Sequence, residues 1–198
     1  MRRSQPAIVL ALAVLVAGCG EDATDPAASS EQSREGAIDV AMANADGDEV
    51  GTVTLVPEEG KVRVEAELEG LEPGFHGFHV HDSGRCEPEA PEGAFTTAKG
   101  HLAGAGDVHG QHAGDMPSLY VTEDGRASLN VLLDGFTTEE LMADDGTAIM
   151  VHGDPDNFAH VPDRYTASGA EKPGPDEDTR KTGDAGPRVA CGVVGTGT

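Results

Sequence analysis

His76-Gly77-Phe78-His79-Val80-His81 is the stretch on which the reading of this chain turns. Phe75, Phe78 and Val80 alternate with polar residues, the period of a β-strand. Side chains two apart on a strand share a face, so His79 and His81 stand side by side while His76 falls on the other face. Paired neutral imidazoles make half of a transition-metal site, since imidazole suits copper, zinc, nickel and iron. Taken alone, the same pair also fits two ordinary polar-face histidines.

Outward from that strand the pattern stays all-β. Ile38, Val40 and Met42 alternate, as do Val53 and Leu55, and Val62, Val64, Ala66 and Leu68 alternate with Arg63, Glu65, Glu67 and Glu69. Period two with charge on one side predicts sheets packed on one face and wet on the other. Ala45-Asp46-Gly47-Asp48, Glu58-Glu59-Gly60 and Glu72-Pro73-Gly74 supply turns. Further strands are expected over 119–122, 127–132, 148–152 and 188–194, with a hairpin turn at Glu123-Asp124-Gly125. One helical turn is expected in 137–145, where Thr137-Thr138-Glu139-Glu140 matches a capping box, and no other segment reads as helical. Short strands at this spacing indicate a Greek-key barrel or sandwich of immunoglobulin-like architecture. Two long inserts, 82–117 and 153–187, are rich in Gly, Pro and Asp and hold most of the remaining histidines, which marks them as functional loops.

The N-terminus has a different character. Arg2-Arg3 precede an almost unbroken apolar run from Ile8 to Ala17, too short to span a bilayer comfortably, so 1–18 is expected to be a signal peptide. Val16-Ala17-Gly18-Cys19 resembles the lipobox of bacterial lipoproteins, which implies cleavage before Cys19 and a lipid on its sulfur. A plain secretory signal with an incidental cysteine is the alternative. Residues 19–36 are polar and read as a flexible tether, and 37–198 as the folded domain. An exported, lipid-anchored protein on the extracytoplasmic side of the membrane follows. Three cysteines are an odd number; if Cys19 carries lipid, Cys86 and Cys191 remain as a pair where disulfides persist. Loss of Arg2 and Arg3 with the signal takes the formal charge from −23 to −25, which argues against nucleic acid and anionic lipid surfaces as partners.

Eight histidines occur, at 76, 79, 81, 101, 109, 112, 152 and 160. His109, His112 and Asp115 offer nitrogen and oxygen donors of the kind a closed tetrahedral zinc site takes, and His101 could be the fourth; taken alone, the same residues also fit a solvated Gly/His/Asp loop. At this point the chain resembles the copper/zinc superoxide dismutase family, in its exported bacterial branch. The matching segments are Gly74 to His81, Gly100-His101, His112-Ala113-Gly114-Asp115, Val151-His152 and Lys181 to Gly195, in family order.

The resemblance implies an eight-stranded Greek-key barrel with metals held outside it by two loops. It implies copper on His79, His81, His101 and His152, and zinc on His101, His109, His112 and Asp115, with His101 bridging and accepting a proton during turnover. Asp156 would accept hydrogen bonds from one histidine of each set, and His76 would bond backbone near the site. Arg188 would stand beside the open copper position, and Cys86 and Cys191 would form the bridge that pins a loop to the barrel. Superoxide is the implied substrate, converted to dioxygen and hydrogen peroxide. His109-Gly110-Gln111-His112 is shorter than the family's usual stretch, so a copper-only dismutase lacking zinc is one alternative. A non-catalytic copper-binding or buffering protein on the same fold is another. A zinc hydrolase would need an open position that Asp115 closes. A homodimer is among the assemblies the sequence leaves open.

Overall fold

The computed structural model describes residues 34–103 and 108–195. The expected signal peptide, Cys19 and nearly all of the tether lie outside the described residues. Nine strands are described: β1 (Ile38–Asn44), β2 (Glu49–Glu58), β3 (Lys61–Glu69), β4 (Gly74–His76), β5 (Phe78–His81), β6 (Leu119–Val121), β7 (Arg126–Leu133), β8 (Thr147–His152) and β9 (Arg188–Val194). Two short α-helices accompany them, α1 (Thr138–Leu141) and α2 (Glu177–Thr182), with a 3₁₀ turn at Thr96–Ala98.

Seven strands form one antiparallel sheet in the order β5-β8-β9-β1-β2-β3-β7, and β4 pairs with β6 alone. The meander β1-β2-β3 has β7 on one flank and β9 on the other, both reached by crossovers. That is the Greek-key arrangement expected. The count exceeds eight because Gly77 divides the strand expected through 75–81. Its N–H bonds Asp154 O at 3.0 Å while its carbonyl accepts from His152 at 2.8 Å. A Cβ at Gly77 would stand 2.6 Å from that of Ala185 and 3.0 Å from His79 Cε1, so only glycine fits the division.

Period two operates as the sequence predicts in β3, where Val62, Val64, Ala66 and Leu68 enter the core and Glu67 and Glu69 face solvent. It fails as a guide to exposure in β5 and β8, whose residues are all buried. Phe78, Val80, Ile149 and Val151 belong to the main core. The opposite face of the same two strands carries His79, His81, Ala148, Met150 and His152, roofed by the two long inserts. Ala148 and Met150 pack there with Phe95, Ala98 and Cys191 in a second apolar cluster. The Cys86–Cys191 disulfide, with Cα atoms 5.7 Å apart, fastens the first insert to β9. Closing a loop of 105 residues contributes about 4 to 5 kcal/mol in the chain-entropy model.

The capping box at Thr137 forms, Thr137 Oγ1 accepting from Glu140 N and Glu140 returning the bond to Thr137 N. The helix it starts covers only Thr138–Leu141. Helix α2 corrects the expectation that nothing else is helical. Asp176 caps its N-terminus, Glu177 and Asp178 occupy the first turn, Arg180 and Lys181 the last, and Gly183 ends it at φ +61°. Each end signal is present in the sequence, but six residues are too few to show a helical period.

Candidate metal centre

The backbone of β5 holds the first insert at both its limbs. Val80 N–H donates to Gly114 O and Val80 O accepts from Leu102 N, both at 2.8 Å, while Asp82 N–H donates to Gly100 O. These bonds set His101 opposite His81 and Asp115 opposite His79. The second insert is fastened to the first by His109 N–H, which donates to Arg180 O at 2.7 Å. Helix α2, unforeseen in the sequence, therefore positions one of the candidate ligands.

Two overlapping sets of donor atoms result, each with all its atoms within 4.8 Å of one another: His79, His81, His101 and His152, and His79, His101, His109 and Asp115. His81 Nδ1 lies 2.9 Å from Lys99 O, and His152 Nδ1 lies 3.1 Å from Gly186 O. A carbonyl oxygen only accepts, so each Nδ1 carries the proton and each Nε2 a lone pair. Those two lone pairs face each other at 3.2 Å in a buried setting. Such an arrangement repels itself unless a cation stands between. His79 turns Nε2 to Asp156 Oδ2 at 2.7 Å and leaves Nδ1 buried with no partner. A buried nitrogen without a partner costs free energy that coordination recovers. By these tests the donor set fits a metal that takes imidazole nitrogen.

The second set is built around Asp115. Its Oδ2 accepts from the N–H groups of Gly110 and His112, which turns Oδ1 toward His101 Nδ1 at 3.1 Å and His109 Nδ1 at 3.0 Å. His112 stands slightly apart. Its ring centroid is 5.7 Å from that of His101 and 5.8 Å from that of His109. Its Nδ1 is buried and 3.4 Å from Asp115 Oδ2, out of line for a hydrogen bond. Asp156 joins the two sets. Its carboxylate, fully buried, meets His79 Nε2 at 2.7 Å and His109 Nε2 at 2.8 Å, and accepts from Phe158 N–H. His76 lies behind the site with Nδ1 2.7 Å from His152 O and Nε2 2.7 Å from Glu72 O.

The electrostatics follow from burial. Burial pushes His152 down to about 3 and His101 to about 4, with Asp115 only partly offsetting the latter; it also holds His81 well below its ordinary value. These three are neutral at physiological pH, the form that binds metal. Burial works against a charged His109 too, but the carboxylates of Asp115 and Asp156 prevail and raise it to about 9. Burial likewise opposes ionisation of both carboxylates. Hydrogen bonds from His101 and His109 nonetheless keep Asp115 well below the usual range, and those from His109 and His79 do so for Asp156.

A cleft of about 910 Å³ opens onto His101, His112 and His152. Arg188 lines it, half-buried, its guanidinium donating to Phe95 O and Lys99 O of the first insert. Lys99 and Lys181 line it as well, Lys181 paired with Glu177 at 2.6 Å. Two further features leave no trace in the sequence pattern. Phe158 stacks on His109, with ring planes 16° apart. Gly183 leaves room for a close approach, since a Cβ there would stand 2.4 Å from His109 Nε2. His160 stays in the second insert and joins neither donor set.

A family model described as copper/zinc superoxide dismutase matches residues 49–194. The chain belongs to that family. A copper/zinc superoxide dismutase of Mycolicibacterium paratuberculosis is 44% identical over 162 residues, 77% of this chain and 71% of the relative. One from Mycobacterium bovis is 40% identical over 187 residues, 90% of this chain and 75% of the relative. Among solved structures, the copper/zinc superoxide dismutase of Brucella abortus superposes with a TM-score of 0.56 at 30% identity, covering 80% of this chain and 99% of that one. A superoxide-dismutase-like protein of Bacillus subtilis, at 22% identity and a TM-score of 0.62 over 79% of this chain and 97% of its own, shares the fold.

Proposed function

We propose that this protein is a superoxide dismutase, taking two superoxide anions and two protons to dioxygen and hydrogen peroxide. The observation that carries the reading is the opposed pair of Nε2 lone pairs on His81 and His152, of which His152 lines the same cleft as Arg188. His79, His81, His101 and His152 would hold copper, and His101, His109, His112 and Asp115 would hold zinc. Bound there, copper supplies the reversible one-electron couple that dismutation requires, and zinc a fixed charge that orients its ligands. The chain's own residues do the rest. Arg188 receives the anion at the cleft wall, its side chain braced by two carbonyls so that it loses little freedom when it does. Asp156 keeps His79 and His109 from rotating. His101, which lines the cleft with its Nδ1 held by Asp115, has a second ring nitrogen that can hold a proton for the peroxide. The metal-reconstituted protein should suppress cytochrome c reduction by a superoxide-generating xanthine oxidase system. Stoichiometric copper without suppression would leave a copper-holding protein instead.

We also infer that 1–18 is a removed signal, that Cys19 carries lipid, and that 19–36 tethers the domain to the extracytoplasmic face of a membrane. Support comes from the apolar run ending at Cys19. The disulfide also consumes the other two cysteines and belongs to oxidising compartments. Palmitate labelling of cells expressing the full chain should mark the wild type and not Cys19→Ala. Equal labelling of both would overturn the anchor.

A further inference from the structure

Phe158 and Ala159 follow Asp156 and Asn157 with φ of +53° and +54°. Two successive non-glycine residues in the left-handed region are costly, the more so when one is aromatic. The turn is nevertheless held from several sides. Phe158 N–H donates to Asp156 Oδ1 at 2.7 Å, Ala159 N–H to Asn157 Oδ1 at 2.8 Å, and Asn157 N–H to Gly183 O at 2.9 Å. Gly110, next to His109, leaves room for the turn: a Cβ there would stand 2.8 Å from Phe158 O. What this strained geometry achieves is the placement of one ring. Phe158 lies nearly parallel to His109, at 16° and 6.2 Å between centroids, whereas His79, His101 and His112 all meet His109 at steep angles. One side of Phe158 is in solvent, the residue being 40% exposed, and beneath it the His109 side chain is wholly covered. The carboxylate that fixes Phe158 is the same one that fixes His79 and His109.

We propose that Phe158 is the cover of the Asp115 side of the centre: it contributes no ligand, and its ring governs how fast zinc held there exchanges with solvent. The inference rests on the zinc assignment made above and adds to it a residue outside the donor set. With the ring in place, water and competing ligands reach His109 only after the strained turn opens. Without it, one ring face of a ligand lies bare. His81 and His152, which would hold copper, do not stack with Phe158 and are not under this cover.

The test is transfer of zinc from the fully reconstituted protein to an excess of a colorimetric chelator, followed by stopped flow, with copper release measured in parallel. Phe158→Gly removes the ring and also relieves the left-handed backbone, so loss of folding does not obscure the result. Phe158→Leu keeps an apolar cover. Release of zinc should quicken by about tenfold or more in Phe158→Gly, the scale expected for losing one aromatic contact and its cover. It should stay near wild type in Phe158→Leu, with copper release unchanged in both. Wild-type protein that binds one zinc, with Phe158→Gly releasing it at the wild-type rate, would overturn the cover alone. Wild-type protein that takes up no zinc would overturn the cover together with the zinc assignment beneath it. Equal acceleration of zinc and copper release would overturn the cover as well, marking general loosening.

Discussion

His81 and His152 point their unprotonated Nε2 atoms at each other across 3.2 Å in the protein interior. Both backbone carbonyls that fix the opposite nitrogens are parts of the fold, so the repulsion is built in before any metal arrives. Copper should therefore stabilise the folded chain strongly. At a free concentration a thousand times the dissociation constant, linkage gives about 4 kcal/mol. Thermal unfolding of metal-free protein with increasing copper should show a concentration-dependent rise in Tm that His81→Ala largely abolishes. An unchanged copper response in that variant would remove His81 from the donor set.

The pH dependence of the metal-free protein has a sign on each side of neutrality. His101 and His152, at about 4 and about 3, stay unprotonated where the unfolded chain takes up protons. Their contribution is present above the unfolded value near 6.5 and is lost as pH falls toward 4, with a slope of roughly 2.7 kcal/mol per unit for the two together. His109, raised to about 9, behaves oppositely. Its contribution is complete below about 6.5 and is lost as pH rises through 9. Urea midpoints of metal-free protein should thus peak near neutrality and fall on both sides. A midpoint that climbs steadily from pH 6.5 to 9 would show that His109 carries no proton in the folded state.

Asp156 orients one nitrogen ligand of each donor set through a single carboxylate. Asp156→Asn keeps the shape and replaces one acceptor oxygen by a donor amide, so one of the two histidines must lose its partner. Outer carboxylates of this kind change metal affinity by about 10- to 100-fold. Competition titrations should show weaker binding of both copper and zinc in the variant. A loss confined to one metal would mean that the shared carboxylate does not couple the two sides.

Much of the fold and of the centre is legible in the amino-acid sequence. Strict alternation in 62–68 locates β3 and its buried face, because each inward residue there is apolar and each outward one polar or charged. His79 and His81 announce themselves by their spacing, His109, His112 and Asp115 by theirs, and His152 by a family resemblance. Periodicity does not reveal that β5 and β8 are buried on both faces, since the roof over them comes from inserts distant in sequence. Helix α2 escapes because its signals lie at its ends and its length is under two turns. Phe158 escapes for a deeper reason: its placement depends on a left-handed backbone that no pattern of hydrophobicity encodes.

Arg188 faces an electrostatic problem posed by the rest of the chain. The substrate is an anion and the protein's formal charge is −23. At physiological ionic strength the Debye length is about 8 Å, so distant carboxylates are screened and the charges lining the cleft decide the approach, Arg188, Lys99 and Lys181 against Glu92 and Asp184. Arg188 is the cation braced against the first insert, whereas Lys181 is neutralised in part by Glu177. Truncating Arg188 to alanine removes both its charge and its two carbonyl contacts; glutamate removes the same contacts and reverses the charge. The comparison of the two isolates the charge. Arg188→Glu should be slower than Arg188→Ala at low salt, and the gap should narrow as ionic strength rises. Stopped-flow decay of superoxide across a salt series reads both. If the two variants keep one ratio at every ionic strength, Arg188 orients the anion by contact alone and attraction at a distance belongs to Lys99 and Lys181.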